Sequence, residues 1–96
     1  MPHFIALINW TDQGVRNVKD APKRVEAARR VADQLGGKLQ VFYTFGQYDV
    51  VGIAEFPNDE SYLRFTLALN SQGNVRTTTL KAWTEAEAAK LIGQLP

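Results

Sequence analysis

In HFIALINW, residues 3 to 10, apolar residues run from Phe4 to Ile8, and a period of two sorts Phe4, Ala6, Ile8 and Trp10 onto one side and His3, Ile5, Leu7 and Asn9, with both polar residues, onto the other. A period of two predicts a strand. In the polar stretch TDQGVRNVKD, only Val15 and Val18 hint at a single helical turn. The period then changes to 3.6 in APKRVEAARRVADQLGG, where Val25, Ala28, Val31, Ala32 and Leu35 form a stripe, with Arg24, Arg29, Arg30 and Asp33 turned to water. Asp20 stands at the N-cap, Pro22 suits the first turn and Gly36-Gly37 stop the helix. KLQVFYTF and YDVVGIAEF flank a Gly46-Gln47 turn and predict a hairpin.

A second helix follows in PNDESYLRFTLALNSQG, with Asn58, Asp59 and Glu60 at its positive end. Its residues Tyr62, Leu63, Phe65, Leu67, Ala68 and Leu69 are apolar on more than one side, so it needs a contact besides the sheet. The terminal helix (Ala88, Leu91, Ile92, Leu95) or another subunit would supply it. NVRTTTLKAW is a fourth strand, and TEAEAAKLIGQLP opens a last helix with the capping box Thr84 to Glu87. The order βαββαβ plus a C-terminal helix predicts one α+β domain over residues 1–96. It is ferredoxin-like: a four-stranded antiparallel sheet with helices on one face and the other face bare.

Alternation also assigns faces. Tyr48, Val50, Gly52, Ala54 and Phe56 carry no charge and belong toward the helices, with Gly52 read as a place where a helix comes close. A two-residue turn then pairs Thr44 with Asp49, Phe42 with Val51, Gln40 with Ile53, and Lys38 with Glu55 as a charge pair. A slip by one residue would destroy this agreement. The face of RTTTLKA stays open. The bare face holds an apolar centre of Ile5, Leu7, Phe42, Val51 and Ile53, each worth about 1.5–3 kcal/mol when buried. A patch of that kind predicts a homodimer, or a higher homo-oligomer, that meets sheet to sheet.

Composition narrows the chemistry. Eleven basic against ten acidic residues give no electrostatic pull toward nucleic acid or a membrane surface. No cysteine is present, so disulfides and thiol ligands are excluded. The N-terminal apolar run is too short for a span or a signal core, and cytoplasmic residence is the expectation.

The segments WTDQG, DAPKRVEAARRVADQLGGKL, FYTF, GQYDVV and SQGNVRTTTLKAWT resemble the GYD domain family, whose name follows the Gly-x-Tyr-Asp turn, here Gly46, Tyr48 and Asp49. The resemblance runs from Trp10 to the terminal Leu-Pro; His3 lies outside the pattern. It implies a ferredoxin-like fold of the dimeric α+β barrel type. It implies no particular activity, since the family has no established one.

Asp49 is the first candidate for chemistry, as an acid/base or polar anchor at the mouth of a cavity. The competing role, a register-fixing acceptor for Thr44 or turn amides, is the favoured reading for an acid beside a glycine turn. With the first and third strands taken as parallel, His3, Thr44 and Asp49 fall at one rim of the bare face, and Asn9, Lys38 and Glu55 at the other. Asp49, His3, Thr44 and Asn9 are therefore the candidate ligand-lining residues. No spacing motif for a metal or cofactor exists. Trp10, Tyr43, Phe45 and Tyr48 form an aromatic group toward the helices, read as core. Arg16, Lys19, Lys23 and Arg24 read as a solvated surface. The expected function is a homo-oligomeric small-molecule-binding module. The alternative is a cofactor-independent oxygenase, isomerase or lyase acting on a hydrophobic metabolite at the sheet face.

Overall fold

A computed structural model describes all 96 residues. The elements run β1 (His3–Trp10), α1 (Asp12–Arg16), a 3-10 turn (Val18–Asp20), α2 (Ala21–Gln34), β2 (Lys38–Tyr43), β3 (Val50–Glu55), α3 (Asp59–Ser71), β4 (Val75–Ala82) and α4 (Glu85–Ile92). Local chemistry sets their limits. The Asn58 side chain accepts from the Ser61 amide, and the Thr84–Glu87 capping box is complete in both directions. α2 ends where Gly36 adopts a φ of 78°, a conformation only glycine reaches without strain. Asp20 occupies the N-cap position of α2 but makes no capping bond.

The strands lie in the order β2-β3-β1-β4. The hairpin has the register that alternation predicts, from Lys38 opposite Glu55 to Tyr43 opposite Val50. The Thr44 amide adds one bond to the Asp49 carbonyl at 2.9 Å. β1 is antiparallel to β3, with His3 opposite Glu55 and Ile8 opposite Val50, and this overturns the parallel expectation. The crossover through α2 makes β2 parallel to β1, and the tight hairpin then reverses the chain, so β3 opposes both. β4 resolves as well. Arg76, Thr78, Leu80 and Ala82 stand beside Asn9, Leu7, Ile5 and His3 on the bare face, while Thr77 and Thr79 face the helices.

The helix-facing residues form two apolar clusters. In one, Phe4, Ala54, Phe56, Tyr62 and Phe65 meet Ala32 of α2, and the Phe4 and Tyr62 rings stack at 4.0 Å. Phe56 is wholly buried and fills the space a side chain at Gly37 would need, within 2.6–2.8 Å. In the other, Ala6, Ile8 and Val50 gather only Trp10, Val41 and Val75, all strand residues. Hydrogen bonds tie α3 to β4: the Tyr62 hydroxyl with Thr79 Oγ1 (2.8 Å), and the Asn70 amide donating to Thr77 Oγ1 (3.0 Å). Burial raises the Tyr62 phenol above its ordinary pKa, and the bond to Thr79 acts against that shift.

α4 has no buried residue, and Leu91, Ile92 and Leu95 are exposed. Leu63 and Leu67 of α3 are exposed too, so α4 does not cover them. The molecule extends 52 × 31 × 17 Å with a radius of gyration of 14.6 Å, against about 12.5 Å for a compact chain of this length. No helix is long and apolar enough to cross a membrane.

Truncating Phe56 to Ala should lower the unfolding free energy by about 3–5 kcal/mol in urea titration, because the void left cannot refill. Phe45→Ala, at a fully exposed ring, should change it by less than about 0.5 kcal/mol.

Candidate functional site

A cavity of about 390 Å³ lies between the sheet and the two long helices, within the ordinary range for small-molecule sites. Its origin is in the central row of the sheet, Val41–Gly52–Ala6–Thr79, where the two middle residues carry almost no side chain. A Cβ built at Gly52 would meet Leu39 at 3.4 Å, then Ala6 and the Gln40 carbonyl, but no helix atom within 4 Å. Gly52 therefore leaves a gap rather than admitting a helix, which corrects the sequence reading. The helices present Ala21, Ala28 and Ala68 to the same space. Small groups on both sides hold the layers apart without filling the interval.

Eighteen of the 24 lining residues are hydrophobic. Trp10 and Tyr43 flank one end, their rings 6.4 Å apart and inclined by 44°. Arg24, Gln72 and Asn74 add polar groups. Arg24 does not turn to water as expected. The residue is partly buried, and its guanidinium donates to the carbonyls of Asn17 (2.9 Å, an exposed bond) and Gly14 (3.2 Å, partly buried). The aromatic group is not the core the sequence suggested: Phe45 lies beyond the last ladder pair and points into solvent, and Tyr43 is more than half exposed.

None of the four candidate lining residues, Asp49, His3, Thr44 and Asn9, belongs to this cavity. The antiparallel pairing also regroups them on the opposite face. Asp49, Thr44 and Asn9 share one rim; His3, Glu55 and Lys38 share the other, which corrects the grouping of His3 with Asp49.

At the first rim Asp49 joins three strands. Its carbonyl accepts from Thr44, its amide donates to the Ile8 carbonyl (2.9 Å), and its Oδ2 accepts from the Trp10 amide at 3.0 Å. The carboxylate thus extends the β1–β3 ladder past the point where backbone pairing ends. Thr44 Oγ1 donates to the Tyr48 carbonyl (2.7 Å) and the Asn9 amide to the Gln47 carbonyl (2.7 Å). Asp49 and Asn9 hold the GQYD turn against β1, and Thr44 closes the turn on itself.

At the second rim His3 Nε2 lies 3.1 Å from Glu55 Oε1, and Nδ1 lies 3.9 Å from Glu87 Oε1, too far for a hydrogen bond. Lys38 stands opposite Glu55 in register, yet the Glu55 carboxylate lies against the His3 imidazole instead. Bonds from the Thr84 backbone and hydroxyl hold the Glu87 carboxyl below its usual pKa, and nearby His3 adds a smaller pull in the same direction.

Sequence reasoning missed the cavity because it sought chemistry in charged residues, whereas the site is defined by missing volume. Ala6, Gly52 and Ala54 in the helix-facing sets were the available signal.

Asp49→Ala should destabilise the fold by about 1–3 kcal/mol, since the Trp10 amide loses its acceptor. Asp49→Asn keeps an oxygen there and should cost less than half as much. Urea unfolding and hydrogen exchange at the Trp10 amide report both; equal stability of Asp49→Ala and the parent would disprove the clamp.

Comparison with known proteins bears on the whole chain. The family model for the GYD domain matches residues 4–92. A Thermus thermophilus protein described as "Glutamine synthetase and cystathionine beta-lyase binding protein" is 33% identical over 97 residues, covering 99% of each chain. The crystal structure of TTHA0845 from the same organism superposes with a TM-score of 0.58 at 23% identity, over 88% of this chain and 95% of that one, a likeness of fold. By sequence match over nearly its full length, the chain belongs to the GYD domain family.

Proposed function

We propose that this GYD-domain protein, one domain over residues 1–96, is a homo-oligomeric module that binds a small apolar molecule between its sheet and helices. The observation carrying the reading is the split core. One apolar cluster is shared by strands and helices; the other, around Ile8 and Val50, consists of strand residues facing the cavity. A ligand there would complete a core the chain leaves unfinished, and apolar burial drives such binding. The cofactor-independent enzyme alternative invoked Asp49 or His3 in the wall. The lining contains neither, and no other carboxylate or imidazole, which favours binding over turnover. Cytoplasmic residence is part of the same reading and rests on composition.

Gly52→Val tests the cavity, because it adds volume in the gap with only ordinary contact to Leu39. The variant should keep its circular dichroism and melting temperature, yet lose at least tenfold in affinity for naphthalene, measured by titration calorimetry. Unchanged affinity would place the binding elsewhere.

Homo-oligomerisation is proposed for the bare face. Phe42 (46% exposed), Ile53 (40%) and Leu80 (49%) leave apolar surface there beside Ile5, Leu7 and Val51. A second chain set against that face would remove it from water. Sedimentation equilibrium at micromolar concentration should give a dimer or larger, and Ile53→Lys should dissociate it; a parent protein that sediments as a monomer would end this part of the proposal.

A second reading comes from the relative described as binding glutamine synthetase and cystathionine beta-lyase. Its full-length similarity supports docking onto other proteins, and the exposed Leu91, Ile92 and Leu95 of the C-terminal arm offer a surface for it. Module and docking protein are compatible roles on different faces.

A further inference from the structure

We infer that the molecule held in the cavity is an amphipathic acid, with its apolar body among the strand and helix side chains and its carboxylate at Arg24. The inference rests on the cavity reading above and adds the chemical class of the ligand.

Arg24 is the one charged residue in the lining. The Lys81–Asp59 ion pair and the His3 contacts with Glu55 and Glu87 do not include it. Both of its protein partners, the Gly14 and Asn17 carbonyls, are neutral. No acidic side chain therefore pairs with the positive charge at the cavity. It is also held in place. Each of the two terminal nitrogens spends one hydrogen bond on a backbone carbonyl, which fixes the side chain and leaves other donors of the fork free. A carboxylate arriving there meets a guanidinium whose ordering cost has already been met.

The other polar groups of the wall have less to offer. The Tyr62 hydroxyl bonds Thr79, Thr66 Oγ1 donates to the Leu63 carbonyl, Thr77 Oγ1 accepts from Asn70, and Asn74 Oδ1 accepts from Gln13. With those four engaged inside the protein, the Gln72 amide and the Tyr43 hydroxyl are among the few neutral polar groups left to accompany the fixed cation, beside an otherwise apolar and aromatic surface. A sugar or nucleotide would bring more polar groups than a wall with so few partners can answer. A flat or chain-like body with a single anionic head matches it.

The probes are 2-naphthoate and 2-naphthalenemethanol, which share a two-ring body and differ in the charged head. Calorimetry on the unaltered protein at neutral pH and low salt should show naphthoate binding about tenfold more tightly. In the presence of naphthoate, the Arg24 Nε–Hε resonance should shift. Arg24→Gln, if it retains its fold by circular dichroism, should bring the two affinities together. Because Arg24 also ties down Gly14 and Asn17, the comparison on the unaltered protein and the resonance shift decide the matter should that variant unfold. Equal affinities for the two probes would overturn the acidic-ligand inference and leave the cavity reading intact. A naphthoate preference with no shift at Arg24, or one that survives Arg24→Gln, would also overturn it. Failure of both probes to bind would overturn the cavity reading together with the inference.

Discussion

At the centre of the sheet Ala6 lies directly opposite Gly52, and much of the molecule follows from how little space that pair occupies. A helix rests on a sheet by filling the hollow between layers with side chains from both, at close to crystalline density. Where the sheet offers a methyl group and a hydrogen, and the helices offer alanines, the hollow stays open. The backbone ladder holds this row in the middle of the layer regardless, since β1, β2 and β3 are bonded along their lengths. Cavity and rigidity therefore come from the same residues.

That arrangement divides labour between the ends of the domain. Phe4, Phe56, Tyr62 and Phe65 pack tightly where α3 and α2 reach the sheet, and supply most of the buried aromatic surface. The Trp10 end is held more by hydrogen bonds: the Asp49 clamp on Trp10, the Arg24 bonds to Gly14 and Asn17, and the Thr11 amide's bond to the Asn74 carbonyl. A framework held by polar bonds around an apolar void can accept a guest without dismantling a core. The GYD turn belongs to that framework.

The two faces of the sheet carry different problems. The helix side lacks volume, and the bare side lacks cover. Phe42, Ile53 and Leu80 crowd the bare side beyond what a lone chain can shelter, while α4 extends past β4 with its own apolar residues uncovered. The His3–Glu55 pair, with Glu87 close by, marks where the arm departs. A domain of this size has little stability to spare for unburied apolar surface, so both features point outward, toward other molecules.

Much of this was legible in the chain. The period-two sets gave the faces of β1, β2 and β3. The placement of every polar residue of the hairpin on one side gave its register, and cap residues such as Asn58, Thr84 and Glu87 gave helix starts. These are local rules, enforced by the backbone within a few residues. Strand direction was not legible locally: His3 and Glu55 lie 52 positions apart in sequence yet pair directly, because the crossover and hairpin fix the sense of β3. Arg24 looked like surface because its helix period put it there, and only the tertiary placement of the Gly14 and Asn17 carbonyls drew its guanidinium into bonds beside the cavity. The cavity itself is a property of the layers together. Small residues permit a void, but whether neighbours collapse into it depends on contacts that no single segment contains.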